Sequence, residues 1–369
     1  MSLIKFGHPK CIFWIIIISI TKVINQIIMN HYQNYLNPFF DLFLMFIGEF
    51  LSIFFYLYQR FNKSIDINNQ FIIKNECSLF FIFVIFICSL SDFLSSFNYF
   101  IFFDFDFQII NSSSFDIIII FISCYINEKI FLGVKNYIHH YIGIIINIIP
   151  LVFVLYDIIK NTNIKSFFSL ILFLLVIIQQ NYLFTSSLTI IKRLNYEYFL
   201  NMHLILFIQG LFGILIFLIC HFLNLFIFKI EHLYLFKEKN LFSIKDIIIL
   251  FIYCILMCII NVSLYKIIEE TRPFYYTLSI GLIYIIFDIY SLIITFIKQD
   301  QKIDDFFSYQ DILLKIIHML GFCIYSEIII LNFCGLDQNT YEKIIERSKE
   351  EILGLTTSED KLNYDIILY

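Results

Sequence analysis

Long apolar runs recur along the chain, each closed by a short cluster of polar residues. They fall at residues 11–29, 38–58, 79–103, 104–127, 137–156, 167–190, 203–228, 247–265, 273–297 and 312–333. A transmembrane α-helix needs about 20 predominantly apolar residues to cross a hydrocarbon core. The pattern therefore predicts an all-α polytopic membrane protein with ten transmembrane helices. Asn37-Pro38 supplies a cap and a first-turn proline for the second span, and Pro150 lies inside the fifth.

The fourth run differs from the rest. It starts in a polar patch and carries Gln108, Ser112, Asp116, Ser123 and Asn127 at helical spacing, while its other faces are mainly Ile and Phe. At about 100° per residue the five occupy roughly a quarter of the helix circumference. A carboxylate at the centre of a bilayer costs about 2.5–3.5 kcal/mol on insertion scales, so Asp116 is expected to face protein or a water-filled cavity. The stripe reads as one wall of a solute pathway. In the alternative, the hydroxyls bond back to their own backbone and Asp116 sits near the interface.

Composition sharpens this picture. The chain has 369 residues, of which 60% are hydrophobic, and a mean hydropathy of +0.84, outside the range of ordinary soluble proteins. There is no alanine and there are only ten glycines, so a glycine within a span marks a place where helices approach closely. A net charge of −5 without a basic patch excludes a nucleic-acid binder. The nine cysteines lie mostly in apolar runs without a C-x-x-C pair, which indicates neither a disulfide framework nor a zinc site. The first run follows Lys5, His8 and Lys10 but contains Lys22, Asn25 and Gln26 and no small-residue cleavage pattern. It is expected to be an uncleaved span. With the N-terminus cytosolic, fifteen cations fall on the cytosolic side and eight on the other, so both termini are expected in the cytosol.

The two halves echo each other. His140-x-x-Gly143 opens the fifth span and His318-x-x-Gly321 lies early in the tenth; Gly48-Glu-Phe in the second faces Gly210-Leu-Phe-Gly213 in the seventh. Five spans per copy force the second to be inverted, an arrangement found in many secondary transporters. The expected organisation is a first five-helix repeat at 1–157, a second at 158–335 and a polar cytosolic tail at 336–369. In the tail, 338–353 has an amphipathic pattern, and Tyr364-Asp-Ile-Ile367 fits a Tyr-x-x-apolar sorting pattern.

The run Asn37-Pro-Phe-Phe-x4-Met-Phe-Ile-Gly-Glu-Phe50 resembles the second-span signature of solute carrier family 35, F-subgroup member-six-like proteins, within the drug/metabolite transporter superfamily with EamA-like repeats. Asp92, the Ser/Gln-rich start of the fourth span, Tyr141-Ile-Gly143, Gln180, Gly210-Leu-Phe-Gly213, Lys266 with Thr271-Arg272, and Leu320-Gly321-Phe322 follow in the same order. The family's basic position after the start of the fourth span has no counterpart, since residues 111–114 carry no charge. The resemblance implies a central cavity formed by the third, fourth, eighth and ninth spans.

No G-x-S-x-G, H-E-x-x-H or glycine-rich phosphate loop occurs, so the chain does not read as an enzyme, and no tightly bound cofactor is implied. The expected binding set is Asp92, Gln108, Ser112, Asp116, Gln180, Asn261, Lys266, Arg272, Tyr276 and Ser279. Within it, Arg272, Tyr276 and Ser279 share one face of the ninth helix, opposite Gln108, Ser112 and Asp116. Lys266 and Arg272 suit an anionic group on a solute; in the alternative they are topology markers or snorkelling residues. Asp92, Asp116, Asp288 and Glu327 are proton-coupling candidates, with Glu49 and Glu327 alternatively structural partners of Lys22 and Lys315. The functional expectation is a carrier of a small polar or organic solute, working by alternating access in an internal membrane, with the bilayer and the solute as partners and a homodimer compatible. The alternative is a non-transporting scaffold or regulator that keeps the transporter fold.

Overall fold

The computed structural model describes residues 9–32, 38–62, 79–102, 113–134, 137–161, 167–198, 200–228, 244–271, 273–298 and 309–331, together with Thr340 and Lys343. They form helices α1 (Pro9–Tyr32), α2 (Pro38–Phe50, resuming as Ile53–Phe61), α3 (Leu79–Phe102), α4 (Ser113–Phe131), α5 (Ile138–Asn161), α6 (Phe167–Tyr198), α7 (Met202–Leu223), α8 (Ile244–Glu270), α9 (Tyr275–Lys298) and α10 (Tyr309–Tyr325). Isoleucine is a mediocre helix former in water. In hydrocarbon, however, each backbone N–H and C=O must be satisfied within its own segment, and the helix is the local solution.

Local chemistry sets several ends. Asn201 caps α7, its side chain accepting from the N–H groups of His203 (2.9 Å) and Leu204 (3.4 Å). The break in α2 at Leu51–Ser52 is fixed from outside, where Ser52 Oγ donates to the His203 carbonyl at 3.0 Å. A turn at Pro273–Phe274 opens α9, and Phe274 N–H donates to Glu128 Oε1 at 2.8 Å. α5 runs through Pro150 without ending, and α7 closes in a π-turn at Asn224–Phe228.

Among the described residues the exterior is strongly apolar, and polar and charged side chains are buried within a mostly apolar interior. Phe83, Ile145, Ile219 and Phe251 are 59–63% exposed, whereas Asp92 and Glu49 are 4% exposed and Asn127 and Gln209 are fully covered. Five helical stretches are long and apolar enough to cross a bilayer: Phe39–Phe61, Ile138–Tyr156, Leu174–Asn195, Met202–Ile227 and Ile247–Glu269. Shorter apolar stretches lie in α1, α3, α9 and α10. The chain is thus an all-helical protein with the build of an integral membrane protein.

Helix pairing follows a rule. α2 packs on α7, α5 on α10 and α4 on α9; α1 packs on α8 and α9, as α6 does on α3 and α4; α2 also meets α8, as α7 meets α3. These principal pairs are carried onto one another when each helix n is exchanged for n+5, whereas the smaller contacts α8–α9, α6–α8 and α4–α10 have no counterpart of that size among the described residues. Glycines sit where backbones come closest. A Cβ placed on Gly143 would lie 2.7 Å from the Gly321 carbonyl oxygen, so the two His-x-x-Gly elements meet each other. A Cβ on Gly48 would lie 2.8 Å from the Cys258 backbone nitrogen, and Gly210 lies against the α2 backbone at Phe46 and Phe50. Two polar contacts repeat the exchange: Asn261 Nδ2 on α8 donates to the Met45 carbonyl on α2 (3.3 Å), and Ser89 Oγ on α3 to the Gln209 carbonyl on α7 (3.0 Å).

Candidate functional site

A ladder of polar side chains crosses the interior. Asp92, on the inner face of α3, accepts from Ser187 Oγ of α6 at 2.5 Å and from Gln209 Nε2 of α7. The other end of the Gln209 amide accepts from the Tyr265 hydroxyl of α8 at 2.5 Å. Glu49 of α2 interacts electrostatically with both Asp92 and Tyr265, and its buried Oε2 has no hydrogen-bond partner. Five helices, α2, α3, α6, α7 and α8, thus converge on one buried carboxylate pair. Gln209 occupies its place because its neighbour Gly210 lets α7 approach the α2 backbone. Charge-assisted hydrogen bonds of this kind are about twice as strong as neutral ones, and each buried polar group left unpaired costs about 1–3 kcal/mol.

A second seam joins α4 to α6. Asn127 Nδ2 donates to Thr185 Oγ1 at 2.8 Å, and Asp116 is hydrogen-bonded to Asn181, one turn earlier on α6. Thr185 in turn donates to the Asn181 carbonyl at 2.8 Å. The described part of the α4 stripe, Asp116, Ser123 and Asn127, is therefore largely turned to protein, with Ser123 and Asn127 buried and Asp116 half-buried.

The expected binding residues are distributed as follows. Gln108, Ser112 and Arg272 lie outside the described residues. Asp92 anchors the central ladder, whereas Asp116 sits in the α4–α6 seam. Gln180 is half-buried on α6. Asn261 braces α8 on α2, and Lys266 pairs with Glu269 on its own helix. Tyr276 is buried, its ring 5.4 Å from that of Phe184 on α6, and Ser279 Oγ bonds back to the Tyr276 carbonyl at 2.7 Å. Asp288 falls in α9, its side chain outside the described set. The geometry gathers Asp92 with Ser187, Gln209, Tyr265 and Glu49, and places Asp116 against α6 rather than α9. Ser187, Tyr265 and Asn181 were not singled out from the sequence. The available signal was their being polar residues within apolar runs.

Glu327 follows α10 in the left-handed region (φ 59°), unusual for a residue other than glycine or asparagine. Its Oε1 lies 2.8 Å from His139 Nε2 and 3.8 Å from His140 Nε2, so it joins the start of α5, not Lys315. These three side chains are the metal-ligand grouping among the described residues. The tautomer of His140 argues against an ion there. The Tyr137 N–H donates to His140 Nδ1 at 2.8 Å, so the ring proton sits on Nε2, directed at the carboxylate. The Glu327 carboxylate is thus in hydrogen-bond contact with His139 and close to His140, which joins the start of α5 to the segment after α10.

Compared with known proteins, the chain matches no family model and no curated sequence.

Proposed function

We propose that this chain is a secondary-active transporter that carries a small polar or organic solute across a membrane by alternating access between two inverted five-helix repeats. The supporting observation is the pairing scheme. Exchanging helix n for n+5 maps the strongest helix pairs onto one another, and Gly143 and Gly321, equivalent under that exchange, meet where the paired helices α5 and α10 cross. Two five-span units related in this way are of opposite topology, the architecture on which rocking-type carriers rest. The drug/metabolite transporter resemblance agrees with it.

The interior polar ladder gives this scaffold something to move. Buried polar groups in a membrane bundle are costly and concentrate along solute or proton pathways. Asp92 and Glu49, side by side, are our proton-coupling pair, with Asp116 as a second carboxylate in the α4–α6 seam. The test is reconstitution of the purified protein in liposomes, with uptake of nucleotide sugars, nucleotides, amino acids and organic acids measured at two pH values. Saturable uptake of one class, reduced in Asp92→Asn, is the expected result.

A second reading, a scaffold that keeps the fold without transport, is favoured by one feature: Asp92, Ser187, Gln209 and Tyr265 satisfy one another. A folded preparation with neither flux nor ligand stabilisation would turn the assignment to that reading.

A further inference from the structure

Near the middle of α1, Lys22 is one turn from Asn25 on the same helix face. Lys22 Nζ donates to the Tyr276 hydroxyl of α9 at 3.2 Å and lies 5.3 Å from the centroid of that ring. Among the described residues no carboxylate lies within ion-pair distance of this ammonium. Asp41 of α2 acts on it only at longer range and is itself hydrogen-bonded by Tyr253. Glu49, the counter-ion suggested by sequence, sits instead beside Asp92. Asn25 is 5% exposed, and neither Nδ2 nor Oδ1 has a hydrogen-bond partner.

A half-buried ammonium without a bound carboxylate, beside a fully covered amide with no partner, is an arrangement that apolar surroundings disfavour. Nothing in helix packing requires it, because α1 is held to α8 and α9 by apolar contacts such as those of Ile15 and Ile18. Asn25 Oδ1 is one acceptor without a donor, but the group's spare N–H and O–H bonds outnumber it, so what it mainly lacks is acceptors. Lys22 has N–H bonds beyond the one given to Tyr276, the Asn25 amide offers two more, and the Tyr276 hydroxyl, accepting from Lys22, keeps its own proton to donate. These donors suit an oxygen-rich anion.

We infer that Lys22, Asn25 and Tyr276 form the subsite for the anionic group, carboxylate or phosphate, of the carried solute. The inference rests on the transport reading and names its substrate class. It also differs from the expectation based on Lys266, whose charge is taken up by Glu269.

The experiment uses the full chain in liposomes with matched probes: UMP against uridine, and succinate against succinamide. Wild type is expected to be stabilised by, and to take up, an anionic member in preference to its neutral counterpart, and the favoured pair tells phosphate from carboxylate. Lys22→Gln should raise the half-saturating concentration at least tenfold, and Lys22→Arg should restore it. Asn25→Asp, which sets a negative charge one turn from Lys22 to compete with the solute anion, should weaken uptake to a similar extent and gives an independent reading if Lys22→Gln folds poorly. Uptake of neutral probes only, or anion uptake with unchanged half-saturation in folded Lys22→Gln, overturns the subsite and leaves transport standing. No stabilisation and no flux with any probe overturns both.

Discussion

The crossing of α5 and α10 makes a quantitative prediction about Gly143→Ala. The added Cβ would lie 2.7 Å from the Gly321 oxygen, 2.7 Å from Tyr325 Cβ and 2.8 Å from the Tyr325 backbone nitrogen. Optimal carbon contacts lie at about 3.5–4.0 Å, so the helices must separate by about 0.7 Å or more, and none of the three atoms is the free end of a side chain. Overpacking of this kind costs about 1–3 kcal/mol. Alanine recovers about 0.5–1 kcal/mol of helix propensity, leaving a net loss of up to about 2.5 kcal/mol. Gly281→Ala is the internal control. Its Cβ would meet the Met319 sulfur, with the Met319 carbons at 3.6 and 3.7 Å, and an unbranched thioether can swing aside. Gly281→Ala should therefore be near neutral or stabilising. The assay is equilibrium unfolding of both variants in the same micelles. A Gly143→Ala loss no larger than that of Gly281→Ala would refute the close crossing.

Three further outcomes follow from the same geometry. Gln209→Leu leaves Asp92 Oδ2 and the Tyr265 hydroxyl without their partner and should cost about 2–4 kcal/mol, well above the ~1 kcal/mol of Tyr265→Phe, as unfolding of the two variants will show. Asn127→Leu should cost only about 1 kcal/mol in the same assay, because Thr185 keeps its bond to the Asn181 carbonyl. Tags placed at the two ends of the chain should be equally accessible from the cytosolic side in intact vesicles; protection of one and not the other would require an odd number of crossings.

The segmentation into helices was legible because apolar run length follows from bilayer thickness: ten described helices overlap the ten runs, and five stretches among them are long and apolar enough to cross a bilayer. The glycine signals were also legible. In a chain without alanine, Gly143 and Gly321 had few reasons to exist other than close approach, and they meet. The partners of the polar residues were not legible. A stripe such as Asp116, Ser123 and Asn127 gives the face of α4 but not the helix it faces, because that depends on rotation and crossing angle set by the whole bundle. The sequence pointed Gln108, Ser112 and Asp116 toward α9; of these the structure describes Asp116, which is hydrogen-bonded to Asn181 on α6. The alternative pairing of Lys22 with Glu49 fails for the same reason: charge complementarity ranks pairs by sign, whereas the α1–α9 packing brings Lys22 to Tyr276.

The distribution of charge over the proposed repeats is itself informative. Both carboxylates of the central group, Glu49 and Asp92, belong to the first five helices, while their neutral partners Ser187, Gln209 and Tyr265 all come from the second five. A twofold-symmetric pair of repeats would put acids on both sides, with four like charges in one dry interior and a mutual repulsion that hydrogen bonds could not offset. Keeping the acids on one copy and the donors on the other removes that conflict while preserving the shared helix pairing. Under the proposed alternating access, it would also tie the two copies together through groups that their motion has to separate or slide. Motion between repeats would then be coupled to whatever occupies or protonates Asp92, and an Asp92→Asn protein, which retains hydrogen bonds but no charge, should have altered pH dependence of uptake rather than altered folding. An Asp92→Asn variant with an unchanged pH profile would place the coupling group elsewhere, with Asp116 the next carboxylate to replace.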